Sequence, residues 1–105
     1  MSKSPTTIEP VHPGEVLKEE FLAEYGLSAT AFARRLGVPA NRITRLINGE
    51  QSVTADTAVM LSAALGTSAE FWLNLQTQHD LERSRADPAL TRRAREIEPI
   101  LPHPA

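Results

Sequence analysis

Residues 28–49, SATAFARRLGVPANRITRLING, constrain this chain more than any other stretch. They read as two short helices broken by a tight turn around Gly37, a helix-turn-helix pattern. Ser28 is a good N-cap, because its hydroxyl oxygen can accept a first-turn N–H. Ala29, Phe32, Ala33 and Leu36 then recur at helical spacing and give one apolar face. Ala33 is small, so a second helix can cross closely at that point. Gly37 tolerates the positive φ that ends the first helix. Val38 comes next, and Pro39 opens a second helix with Ile43, Leu46 and Ile47 on its inner side. Asn48 and Gly49 end it as a turn. Ala40, Asn41, Arg42, Thr44 and Arg45 are left outward, and these short or cationic side chains suit base edges and phosphates.

The flanks supply the rest of a helical domain. Residues 1–12 are polar, contain Pro5 and Pro10, and are expected to form a flexible arm. Pro13 suits a first helical position. Leu17, Phe21 and Tyr25, with Leu22 beside them, predict an apolar face on a helix that Gly26 stops. Thr54 is the next N-cap, and Ala58, Leu61, Ala64 and Leu65 form the stripe of a fourth helix closed by Gly66. Thr67 and Glu70 resemble a capping box for a fifth helix carrying Phe71, Trp72 and Leu75 to about Arg85. Residues 13–85 therefore form an all-α domain of five helices. Residues 86–105 form a proline-rich tail in which a short helix over residues 89–97 is plausible.

Charge first argues against a nucleic-acid partner, because the 105 residues sum to −2. By segment the conclusion reverses. Residues 1–27 hold two basic and five acidic groups, net −3. Residues 28–54 hold Arg34, Arg35, Arg42 and Arg45 against Glu50 alone, net +3. Residues 55–105 hold five basic and seven acidic groups, net −2. The basic segment coincides with the helix-turn-helix, so a local positive face is available to dock on DNA. A plain helical bundle with outward arginines remains the alternative. The chain has no cysteine, no apolar run of membrane-spanning length and no secretory pattern at its start, so a cytoplasmic location is expected.

HPGEVLKEEFLAEYGLS, then AFARRLGV, then NRITRLINGEQSVTADTAVMLSAALGTSAEFWLNLQ resemble the HigA-type antitoxins of the XRE, or phage-repressor-like, helix-turn-helix family. The opening HPGE and the GTSAEFWLNLQ segment are specific to this branch. The resemblance implies an antitoxin that neutralises a RelE-like mRNA-cleaving ribonuclease and represses its own operon as a homodimer on operator DNA. By position in the family it places Ser28 and Thr30 near phosphate, and Asn41, Arg42, Thr44 and Arg45 at the bases with Ala40 beside them, while Arg34 is expected to bind DNA of any sequence. Ala40 departs from the Gln common there and can meet only a thymine methyl. Asn48, Gln51, Ser52 and the helix start at Thr54 are further expected phosphate contacts. A stand-alone XRE regulator without a toxin, and an interaction module that no longer reads DNA, are the competing readings.

Other conspicuous residues point to less. Trp72, with Leu75 and His79, is a candidate dimer or partner contact, and for Trp72 a core or dimer-core role is favoured over a toxin contact. His12, His79 and His103 lack metal-ligand spacing and are expected to be exposed or capping; no metal or cofactor is expected. Glu15, Glu19 and Glu20 have no nucleophile or base beside them, and Ser28 and Ser62 have no nucleophile-elbow context, so no enzyme is expected. Arg92, Arg93 and Arg95 form a basic cluster that suits DNA flanks, an acidic partner patch or a merely solvated helix. Ile97, Ile100 and Leu101 must pack on the body or order on a partner.

Overall fold

A computed structural model of the chain describes residues 11–100. Within them there are six helices and no strand. The first, α1, begins as Pro13–Val16, widens into a π-helical turn at Leu17–Leu22 and ends as Ala23–Tyr25. Next come α2 (Ala29–Leu36), α3 (Ala40–Ile47), α4 (Ala55–Leu65), α5 (Ala69–Arg85) and α6 (Pro88–Glu96). The expected arm lies outside the described residues up to residue 10, as do Leu101 and His103.

Local sequence sets most helix ends. Ser28 accepts from the Ala31 N–H at 3.0 Å, and Thr54 accepts from the Thr57 N–H at 3.3 Å. At the turn between α2 and α3, Gly37 has φ 74°. The Val38 N–H returns to the Ala33 carbonyl at 3.0 Å and the Gly37 N–H to Arg34 at 3.1 Å, which satisfies the last carbonyls of α2. The cap of α5 corrects the expected Thr67–Glu70 box. Ser68 accepts from the Phe71 N–H at 3.0 Å, while Thr67 Oγ1 accepts the indole N–H of Trp72 at 2.7 Å. A buried indole donor needs a partner, and meeting that need takes Thr67 out of the capping role.

Leu17, Leu22, Phe32, Ala33, Ile43, Leu46, Val53, Ala58, Leu61 and Trp72 form one buried core. Tyr25, expected on the inner face of α1, is 58% exposed. The cause is the π turn, in which the Ala23 N–H reaches back five residues to the Lys18 carbonyl. Such a turn holds one extra residue and rotates the rest of the helix by roughly 100°. Ala64, expected in the stripe of α4, is likewise exposed and lines an open groove with Tyr25, Leu27 and Arg35.

Gly14 explains part of the HPGE segment. A Cβ at this position would overlap the Leu46 carbonyl oxygen and lie 2.9 Å from Ile47 Cα. The start of α1 therefore packs backbone to backbone against the end of α3. His12 caps α1, its Nδ1 accepting the Gly14 N–H at 2.9 Å.

Candidate nucleic-acid interface

Helix α3 divides its residues sharply. Ile43 and Leu46 are buried against the body, and Ala40, Asn41, Arg42, Thr44 and Arg45 are all exposed. Ser28, Thr30 and Arg34 on the α2 side are exposed as well, as are Asn48, Gln51, Ser52 and Thr54 beyond the end of α3. All the residues expected to meet DNA thus lie at the surface of one contiguous segment. Their segment carries the net charge of +3, and its cationic groups are only weakly neutralised. The Arg45 Nε–Glu50 contact is long, at 4.0 Å, with both side chains more than half exposed, so it holds Arg45 loosely.

Several of these side chains already have internal partners. Arg42 Nη2 donates to Thr57 Oγ1 at 3.1 Å, which ties the outward guanidinium to the first turn of α4. Thr44 Oγ1 donates to the Ala40 carbonyl at 3.1 Å. Thr54 Oγ1 and Thr57 Oγ1 lie 3.2 Å apart, so the start of α4 and Arg42 share one small network. Thr57 is 9% exposed and is absent from the residues that spacing singled out.

Gln76 is likewise absent from them. From α5 its Oε1 accepts the buried Val53 N–H at 2.7 Å, and its Nε2 donates to Asp80 Oδ1 at 3.0 Å. This bond fixes the loop carrying Gln51 and Ser52, which otherwise has no regular structure to hold it. The only sequence signal is an amide on the side of α5 where Trp72 is buried, one helical turn further along.

The residues expected at a partner contact divide differently. Trp72 is 0% exposed and packs against Phe71 and Phe21, with ring centroids 4.9 and 5.4 Å away. His79 is 9% exposed, its ring 4.9 Å from that of His12. Both are covered by their own chain, because the inner face of α5 closes the domain; Trp72 takes the core role, and the burial of His79 corrects the expectation of an exposed or capping residue. Leu75 is half-buried against the core. The outward apolar groups of α5 are instead Phe71 and Leu81. Ile97 and Ile100 do not pack on the body, being 70% and 97% exposed. Among the described residues no group of three or more His, Asp or Glu is placed to hold a metal, and no helix is long and apolar enough to cross a membrane.

Comparison with known proteins agrees with this geometry. A helix-turn-helix family model, HTH_3, matches residues 17–72. The antitoxin HigA-1 of Vibrio cholerae is 46% identical over 80 residues, covering 76% of this chain and 75% of that protein. The Pseudomonas aeruginosa antitoxin HigA, solved with the higBA promoter, superposes with a TM-score of 0.80 at 40% identity, covering 88% of this chain and 99% of that one. An addiction module antidote protein of the HigA family from Coxiella burnetii superposes with a TM-score of 0.79 at 41% identity, covering 87% and 98%. The family is one of regulators and antitoxins, not of enzymes. With the helix-turn-helix, the HPGE contact and these relatives in agreement, the chain belongs to the HigA branch of the XRE helix-turn-helix family.

Proposed function

We propose that this chain is the antitoxin of a type II toxin–antitoxin module and represses its own operon by binding operator DNA as a homodimer. The observation that carries the repressor half is the division of α3, with Ile43 and Leu46 buried and Asn41, Arg42, Thr44 and Arg45 presented to solvent. Side chains of this kind donate to base edges and phosphates when their helix enters a major groove. Ala40 offers a methyl contact to thymine and no hydrogen bond. The relative solved with its promoter supports DNA as the ligand. A dimer would set two such helices about 34 Å apart, in successive major grooves.

The toxin half rests on the family and on charge. The segments on either side of the helix-turn-helix carry net charges of −3 and −2, and such flanks favour encounter with a basic RelE-like ribonuclease. Gel-shift titration with the DNA upstream of the gene tests the repressor half; no retardation at low salt, with or without toxin, rejects it. Co-expression with the adjacent reading frame tests the other half. Rescue of growth together with co-purification supports an antitoxin, whereas operator binding without either favours a stand-alone regulator.

A further inference from the structure

His12 sits where three elements meet. Its Nδ1 accepts the Gly14 N–H and so caps α1. Its ring lies against Gly49, the residue at which the chain turns after α3, and faces the backbone of Gln51. Its third neighbour is the His79 ring on α5, edge-on at 4.9 Å. His79 Nδ1 is buried with no hydrogen-bond partner among the described residues. His12 itself is half-buried and borders a groove open to solvent between Glu15, Lys18, Glu19 and the end of α3. Protons can therefore reach it.

An imidazole accepts at Nδ1 only while that nitrogen is unprotonated. A second proton converts the acceptor into a donor aimed at the Gly14 N–H. We infer that His12 is a proton-sensitive positioning residue: its neutral ring caps the start of α1 where α1 meets the end of α3, and its protonation loosens that junction and weakens operator binding. Gly14 beside the cap touches the backbone of Leu46 and Ile47. Loss of the cap thus reaches the end of α3, whereas the contact with the Gln51 backbone favours the charged ring and persists.

The surrounding charges agree with a ring kept neutral. Burial first, and then the His79 ring, hold the His12 imidazole below its ordinary value of 6.5, and Arg83 acts in the same direction. The Gln51 backbone and Asp80 oppose them. With the folded value below the unfolded one, the unfolded chain binds more protons. Stability is therefore full above the unfolded value and declines as pH falls below 6.5 towards the lower folded value.

The inference rests in part on the operator-binding reading, so the test has two arms. In the full chain and in His12→Asn, the thermal midpoint and hydrogen exchange at Gly14 and Gly49 are measured from about pH 7.5 to about pH 5.5. Asn keeps an N-cap acceptor and does not titrate. Operator affinity is then measured over the same range. The unsubstituted chain is expected to lose midpoint and amide protection on acidification, and to lose affinity by at most about tenfold per pH unit for each proton, thus about a hundredfold for a dimer with two His12 rings. His12→Asn is expected to show a flatter pH profile in every readout, whatever its level near neutrality. An equal acid response in the two proteins overturns the inference, as does an unsubstituted chain whose amide protection and midpoint do not respond. A chain that never binds operator rejects the repressor reading, while the midpoint and exchange arm still decides the role of His12.

Discussion

Gln76 shows how one side chain far from α3 governs what α3 presents. It holds the Val53 N–H across 23 residues of sequence, at a site that is 4% exposed. Gln76→Ala leaves that donor buried and unpaired, so we expect a loss of about 1–3 kcal/mol in urea unfolding. Gln76→Glu keeps the acceptor but sets a carboxylate against Asp80, and is expected to fall between Gln76→Ala and the unsubstituted chain. Outward residues answer differently. Arg42→Ala is expected to relax discrimination at one base pair by about 1–3 kcal/mol, and Arg34→Ala to weaken all sequences alike; competition binding against mutated operators separates them, and identical profiles reject the direct-readout role of Arg42. Ser28 and Thr54 were legible in sequence because their cap bonds close within three residues. Gln76, Thr57 and the His12–His79 contact were not, because each depends on two segments meeting only in the folded chain.

At the level of elements, two glycines separate two physical demands. Gly37 has φ 74° and open space where a Cβ would stand. Gly37→Ala therefore meets only the left-handed backbone penalty, about 1 kcal/mol, and the turn persists. Gly14 has ordinary helical surroundings but faces the backbone of Leu46 and Ile47. Backbone cannot rotate away as a side chain can, so Gly14→Ala must push α1 off α3 at a cost of about 3 kcal/mol or more. Parallel thermal melts test the pair, and a smaller loss at Gly14 than at Gly37 contradicts the packing described. Helix boundaries came from caps and turn glycines, which is why α2, α3 and α4 were legible. The π turn of α1 was not. Leu17, Phe21 and Tyr25 hold perfect spacing for an unbroken helix, and only packing against α5, through Phe21 beside Phe71 and Trp72, shows that the helix widens.

The described residues form an elongated body, 52 × 30 × 22 Å, with α6 following α5 at the C-terminal side. This helix buries none of its residues, and Leu90 is 46% exposed and Ile97 70% exposed. A helix this short gains little from its own hydrogen bonds, so its persistence calls for something to cover its apolar side. A dimer formed through this helix would cover Leu90 and Ile97. The double substitution Leu90→Glu, Ile97→Glu is then expected to shift sedimentation from dimer to monomer. It should leave the thermal midpoint of the core nearly unchanged, since neither side chain enters that core. Operator binding should fall much further than the loss of two surface contacts would explain. Linked half-sites bind with the advantage of a high effective concentration, which separate monomers forfeit. Both the dimer and the monomer should remain salt-sensitive through the net +3 of residues 28–54, but the monomer, engaging one half-site, should show the shallower dependence of affinity on salt. An unchanged sedimentation coefficient, or a dimer whose salt dependence equals that of the variant, would place the dimer contact elsewhere on the chain.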